Sequence, residues 1–144
     1  MILPITLTTA AACAVINLWL ALRIVRGRLK DRVLLGDNGD VGLLAGMRAH
    51  ANFTEYAPFV LILIAGIELA GGSPFWLQVA AVVFVLARIA HPLGMFRATT
   101  NALRLIGIVA TWLVLALLAG WAIAIVYDGA QPGGPGITLA PAKG

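Results

Sequence analysis

Long apolar segments dominate the chain, and their lengths give the first prediction. Residues 3–22, 69–87 and 105–127 contain no charged side chain, and each segment has the roughly 17–25 residues that a helix needs to cross a bilayer. Residues 41–69 are also mainly apolar, although polar positions interrupt them. Strands of a membrane barrel would instead alternate apolar and polar positions over about 10 residues. The pattern therefore predicts transmembrane helices.

The expected elements follow from these segments and from the turn signals between them. Residues 70–74, with the sequence AGGSP, form a short uncharged turn of the kind that joins two spans. The predicted fold class is an all-α integral membrane protein, an antiparallel bundle of four transmembrane helices in one domain over residues 1–127. Residues 128–144 are expected to be a flexible Gly/Pro-rich tail that cannot bury a core. The helices are expected at about residues 3–25, 41–69, 74–93 and 102–127.

Composition supports a membrane location. Hydrophobic residues make up 61% of the chain and charged residues only 11%, whereas a soluble domain is about 25% charged. A soluble fold of this size would lack the polar residues to cover its surface, so the lipid bilayer is the expected solvent. The first segment is expected to be a retained helix and not a cleaved signal peptide, because its basic residues follow the apolar run instead of preceding it.

The positive charges lie at one end of the predicted bundle. The positive-inside rule then places both basic connections in the cytoplasm and both termini on the non-cytoplasmic side. The net charge of +4 is interpreted as setting this orientation, because the chain contains no recognisable nucleic-acid-binding module and no nucleic-acid partner is expected. The basic residues concerned are Arg23, Arg26, Arg28, Lys30, Arg32, Arg97 and Arg104.

Three polar residues interrupt the second predicted helix at a regular spacing. Arg48, Asn52 and Glu55 are four and three residues apart, so at about 100° per residue they fall within roughly 60° on one helix face. Charged groups are costly inside a membrane, so this face is not expected to point at lipid. One interpretation is structural, an ion pair that closes the bundle or an oligomer seam. The other is a site for a zwitterionic ligand, in which Arg48 meets a carboxylate, Glu55 an ammonium group and Asn52 a peptide amide.

Further polar residues are predicted to lie near the same membrane face. Arg88, His91 and Met95 follow at helical spacing at the end of the third helix, and Arg104 opens the fourth. This convergence is the strongest indication of a site that the residues give by themselves. No metal site is expected, because two histidines without an HExxH pattern make no ligand set. Glu68, near the far end of the second helix, is expected to be solvated.

The second helix also carries a sequence signature. Residues 48–59, RAHANFTEYAPF, resemble the helix 2 motif of the MAPEG family, the membrane-associated proteins of eicosanoid and glutathione metabolism, which reads approximately R-A-H/Q-x-N-x-x-E-x-x-P. Every anchor of that motif is present. Residues 87–91, ARIAH, are similar to the end of the third helix in the prostaglandin-E synthase branch. The resemblance covers most of residues 3–127.

This resemblance implies a homotrimer that binds glutathione, as co-substrate, between neighbouring subunits near the cytoplasmic face. Carried over residue by residue, Arg48 pairs with a glutathione carboxylate, Glu55 faces its ammonium group and Asn52 meets its backbone amides. Tyr56 also matches a glutathione-binding residue. His91 falls where related members have histidine or tyrosine.

The resemblance further implies a glutathione S-transferase or peroxidase that acts on lipophilic electrophiles arriving from the bilayer. Arg104 is expected to match the helix 4 arginine that stabilises the glutathione thiolate, with Arg97 as the competing candidate because the alignment crosses a loop of uncertain length. Met95 stands where the leukotriene and prostaglandin branches have tyrosine. A thioether is no strong donor, which argues against eicosanoid synthesis and predicts weaker thiol activation.

Two alternative functions remain open at this point. A non-catalytic binding or scaffold member of the same fold would keep the polar residues of the second helix without turnover. A small multidrug transporter is the other, although such exporters carry a carboxylate in helix 1, where this chain offers only Asn17. The resemblance and the composition together favour a multi-pass protein of a bacterial inner membrane.

Overall fold

The computed structural model describes residues 2–97, 99 and 101–129, and the elements within them are all helical. Each of the four helices is long and apolar enough to cross a membrane. The predicted fold class, an all-α membrane protein of four helices, is confirmed. The flexible tail was expected at residues 128–144, but residues 128 and 129 belong to the fourth helix, and residues 130–144 lie outside the described residues. The helices are α1 (Pro4–Asp31), α2 (Val41–Leu69), α3 (Pro74–Met95) and α4 (Ala102–Gly129).

Two helices form the centre of the bundle. Both α2 and α3 contact every other helix, whereas α1 and α4 do not touch each other in the described part of the chain. The buried positions of α1 recur every three or four residues, which turns one stripe of the helix inward. Most other apolar side chains stay exposed, as expected where lipid replaces water. The buried stripe of α1 consists of Ile5, Thr9, Cys13, Ile16 and Leu20.

Three helices run further than the sequence prediction placed them. α1 continues to Asp31 because leaving the hydrocarbon does not end a helix, and arginine and lysine are good helix formers. It ends at Arg32, whose backbone is left-handed (φ 53°) and whose N–H donates to the Arg28 carbonyl oxygen. α3 continues through Pro92 to Met95, and α4 extends to residue 129. The connection between α1 and α2 and that between α3 and α4 define what we call the basic end of the bundle.

Glu68 lies at the opposite end, where it is partly exposed and also bound to the start of α1, a contact that the sequence did not predict. Its two carboxylate oxygens accept from the backbone N–H groups of Ile5 at 2.9 Å and Thr6 at 2.8 Å, and from the Thr6 hydroxyl at 2.6 Å. The first N–H groups of a helix have no partner within the helix, and a negative charge there is favourable. Glu68 therefore caps α1 from the end of α2 and fixes these two helices against each other.

Candidate functional site

A cleft opens at the basic end, where α2, α3 and α4 meet. Its volume is about 290 Å³, just below the roughly 300–1,000 Å³ of small-molecule sites. The six residues that the sequence proposed for ligand binding and catalysis all line it, together with four others. The lining residues are Arg48, Ala51, Asn52, Glu55, Tyr56, His91, Met95, Arg104, Ile108 and Trp112.

The second helix supplies charges of both signs to the cleft. Arg48 and Glu55 are exposed, and in the described part of the chain neither lies within 4.0 Å of an oppositely charged group. The internal ion pair between these two residues, which the sequence left open, is therefore not formed within a single chain. One cation and one anion on the same wall remain available to a ligand that carries both signs.

Asn52 is oriented from behind by a buried arginine. Arg88 on α3 is only 1% exposed, and its Nη1 donates to Asn52 Oδ1 at 3.1 Å and more weakly to the Asn52 carbonyl oxygen at 3.4 Å. Because a guanidinium only donates, the Asn52 side chain must turn its oxygen toward Arg88. The NH₂ group of Asn52 is then the part that is left for a ligand.

The Tyr56 hydroxyl is positioned by α4. The Trp112 indole Nε1 donates to Tyr56 Oη at 2.9 Å. Since an indole N–H can only donate, Tyr56 accepts this bond and keeps its own proton for another acceptor. On its other side, the Tyr56 ring centroid lies 5.8 Å from Arg88 Cζ, within the range of a cation–π contact. The cleft thus contains a hydroxyl donor that is held from two sides.

His91 joins α3 to the first turn of α4. Its Nδ1 lies 3.1 Å from the backbone carbonyl oxygen of Arg104. A carbonyl oxygen only accepts, so Nδ1 carries the hydrogen and Nε2 is the ring nitrogen that a ligand can contact. His91 is 5% exposed, so it contributes to the floor of the cleft and not to its rim.

Two glycines let α3 and α4 approach closely at these residues. A Cβ added at Gly107 would lie 2.7 Å from both the backbone nitrogen and the Cβ of His91. A Cβ added at Gly94 would lie 2.7 Å from Arg104 Cα. Real Cβ atoms essentially never come closer than 3.0 Å to such neighbours. Because glycine has no side chain at these positions, the backbones of α3 and α4 can come close enough to bring His91 and Arg104 together.

Asn101 fixes the start of α4 and with it the backbone of Arg104. Its Oδ1 accepts from the Arg104 N–H at 3.3 Å, as a helix N-cap does, and its Nδ2 donates to the carbonyl oxygens of Gly94 at 2.9 Å and Thr99 at 3.0 Å. Arg104 lines the cleft, whereas Arg97, the competing candidate, is exposed and lies outside the set of lining residues.

The supporting residues of the cleft were not assigned from the sequence. A charge next to the third apolar segment made Arg88 noticeable in the sequence. The sequence did not show, however, in which direction its side chain points. Trp112 had no signal that set it apart from an interfacial anchor or a packing residue, and its bond to Tyr56 joins positions 56 residues apart. Asn101 had a weaker signal, because asparagine before an apolar run is a common N-cap.

Comparison with known proteins gives a consistent family match. A sequence model of the MAPEG family matches residues 6–124. The chain is also similar to two proteins named inner membrane protein YecN, one from Escherichia coli strain K12 and one from Escherichia coli O6:H1 strain CFT073. Each is 32% identical over 95 residues, which cover 66% of this chain and 72% of the relative. That name describes a location and no activity.

Proposed function

Because the chain belongs to the MAPEG family, we propose that it is a glutathione-dependent membrane enzyme, a transferase or peroxidase for lipophilic electrophiles. The observation that carries this proposal is the cleft itself. Its residues come from three helices and offer a cation, an anion and oriented hydrogen-bond donors within about 290 Å³. Glutathione is a small zwitterionic peptide with two carboxylates, one ammonium group and two amides, so its groups match those of the cleft.

The proposed binding mode follows from the donors and acceptors on α2. Arg48 pairs with a carboxylate of glutathione, since a guanidinium presents two parallel donors to it. Glu55 accepts from the ammonium group. The NH₂ of Asn52, which Arg88 turns toward the cleft, donates to a peptide carbonyl. Tyr56 donates to an acceptor on the ligand with the proton that its bond to Trp112 leaves available.

Arg104 is the proposed catalytic residue because it supplies a positive charge on the α4 side of the cleft. The nucleophile is the glutathione thiolate, and a nearby guanidinium favours the charged sulfur over the neutral thiol. Arginine stays protonated, so it stabilises the thiolate by its charge and is not the base that removes the thiol proton. His91 Nε2 is the proposed contact of the ligand on the floor of the cleft.

Two reactions begin from this thiolate. In conjugation, the thiol proton passes to water and the sulfur forms a bond to an electrophilic carbon. With an aryl halide the carbon–halogen bond breaks and halide leaves, whereas with an unsaturated carbonyl the C=C π bond breaks and the resulting enolate takes a proton from water. In peroxide reduction, the thiolate attacks the peroxide oxygen, the O–O bond breaks and an alcohol leaves. A second glutathione then gives the disulfide and water. The apolar substrate reaches the cleft from the bilayer.

The enzyme is proposed to be a homotrimer of a bacterial inner membrane, with both termini on the non-cytoplasmic side. A polar contact on the outer surface of the chain supports association. His50 Nε2 and Asn17 Oδ1 lie 2.8 Å apart on exposed parts of α2 and α1. Such groups are costly against lipid, so a protein surface is the more favourable neighbour. The basic connections between the helices support the orientation.

Met95 favours a second candidate function, a non-catalytic glutathione-binding protein. It lines the cleft where a tyrosine would add a hydroxyl donor. A thioether accepts only weakly and donates nothing, so thiolate stabilisation depends more heavily on Arg104 and Tyr56. The same residues would then bind the ligand without accelerating a reaction.

Turnover distinguishes the two candidates. We expect the protein in nanodiscs to form glutathione conjugates, or to reduce hydroperoxides, with members of a panel of lipophilic aryl halides, unsaturated carbonyls and organic hydroperoxides. S-methylglutathione, which fits the same contacts but has no thiol, is the matched control and gives no product. Rates equal to the uncatalysed reaction across the whole panel, with glutathione bound, would reject the enzyme and retain the binding protein.

A further inference from the structure

A second groove lies between α1 and the start of α2 at the basic end, and its volume is about 630 Å³. It shares no lining residue with the cleft. We propose that this groove binds an anionic glycerophospholipid. Arg23 and Arg26 hold the phosphate, and an acyl chain lies along the apolar part of α1.

The order of side chains along α1 follows the order of chemical groups in a phospholipid. Val15 and Leu18, which are 68% and 60% exposed, line the part of the groove furthest from the basic end of the bundle. We call these two residues the apolar stripe. Trp19 follows, and then Arg23 and Arg26. At about 100° per residue, Val15, Trp19, Arg23 and Arg26 fall within roughly 80° on one helix face. Aromatic residues favour the membrane interface, and cations favour the phosphate layer just outside it.

The Arg23 guanidinium is held in place before any ligand binds. Its Cζ lies 3.6 Å from the centroid of the Phe96 ring. Phe96 in turn packs against Trp19, with ring centroids 6.0 Å apart and planes at 82°. A cation over an aromatic face keeps its N–H edge free for hydrogen bonds. Arg23 is thus oriented for an anion without being neutralised by one.

The acidic residues of the groove lie further out. Asp40 Oδ1 accepts from the Leu43 N–H at 2.8 Å and caps α2, so this carboxylate already has a partner. Asp31 is five residues beyond Arg26, about 7.5 Å further along α1. Among the described residues, Arg23 and Arg26 have no carboxylate within 4.0 Å. The charge left without a partner is therefore positive, and it lies next to the apolar stripe.

Native mass spectrometry of the full-length protein tests this inference. The probes are phosphatidylglycerol and phosphatidylcholine with identical acyl chains. We expect phosphatidylglycerol to bind about tenfold or more tightly, because each basic residue near a lipid of net negative charge contributes roughly fivefold, whereas the choline ammonium of phosphatidylcholine cancels the charge of its phosphate. Equal binding of the two lipids would overturn the proposal. Displacement of phosphatidylglycerol by an equal concentration of glycerol 3-phosphate would also overturn it, because a soluble phosphate does not use the apolar stripe.

Variants locate the binding to this groove. The double variant Arg23→Gln/Arg26→Gln is expected to lose the preference for phosphatidylglycerol. Arg32→Gln/Arg97→Gln removes the same charge at exposed positions outside the groove and is expected to keep it. Arg26→Gln alone, which disturbs no contact with Phe96, is expected to weaken phosphatidylglycerol about fivefold. Equal effects of the two double variants would overturn the proposal. Disassembly of the oligomer by Arg26→Gln would also overturn it, because the groove would then be a contact with a second copy of the chain.

Discussion

Replacement of Arg104 by alanine is expected to abolish turnover while glutathione binding is largely preserved. In the proposed mechanism its guanidinium contributes most when the sulfur carries a full negative charge, and the contacts of α2 hold the rest of the ligand. Removing one charge-stabilising donor from an active site typically lowers kcat by about 10²–10³-fold. Initial-rate measurement of turnover beside a calorimetric binding assay separates the two effects.

Arg97→Ala is the matched control for this prediction. It removes the same charge from the same end of the bundle, but Arg97 lies in the connection between α3 and α4 and outside the cleft. Turnover is therefore expected to stay within about twofold of the unaltered protein, since surface substitutions away from a site have small effects. If Arg104→Ala turned over at the normal rate, the role given to Arg104 would be wrong. If Arg97→Ala lost turnover instead, the stabilisation of the thiolate would have to be assigned to Arg97.

Gly107→Ala is expected to destabilise the bundle and to lower activity at the same time. The added methyl group would lie 2.7 Å from the backbone nitrogen of His91, so α3 and α4 must move apart. Overpacking of this kind costs typically about 1–3 kcal/mol and occasionally more. The same movement shifts His91 and Arg104 within the cleft. Thermal unfolding in detergent, with turnover measured on the protein that remains folded, gives both effects.

The chain contains a control for this substitution on the same helix. Gly120 of α4 has open space around it, and a Cβ there meets no atom of the described residues within 4 Å. Gly120→Ala is therefore expected to be neutral or slightly stabilising, because alanine is the better helix former by about 1 kcal/mol in a soluble helix. Equal thermal stability of the two variants would show that close packing at Gly107 does not determine the geometry of the site.

The main features of the fold could be predicted because each depends on a local pattern. Uninterrupted apolar segments of about 20 residues require helices in a membrane, and the residues between them mark the turns. The sequence could not show where α1 ends, because a helix can continue into water on the strength of good helix formers such as Arg28 and Lys30. Nor could it show that Glu68 caps α1, since Glu68 and Thr6 are 62 residues apart in the chain.

For the candidate site, too, only the features that depend on a local sequence pattern could be predicted. Arg48, Asn52 and Glu55 share a helix face by arithmetic alone, whereas their meeting with His91 and Arg104 depends on how three helices pack. The contacts that orient the site were beyond prediction. The bond from Arg88 to Asn52 and the bond from Trp112 to Tyr56 each join two helices, and side-chain direction between helices leaves no periodic signal in a sequence.

Glutathione binding to the purified full-length protein, measured by isothermal titration calorimetry, tests the central claim most directly. The account predicts saturable binding that weakens about tenfold or more in both Arg48→Ala and Glu55→Gln, because each variant removes one charged contact with the ligand. Arg32→Ala, an exposed cation outside the cleft, is expected to bind normally. Absence of binding by the intact, folded protein would contradict the account, and Arg48, Asn52 and Glu55 would then be better explained as a structural polar seam between subunits.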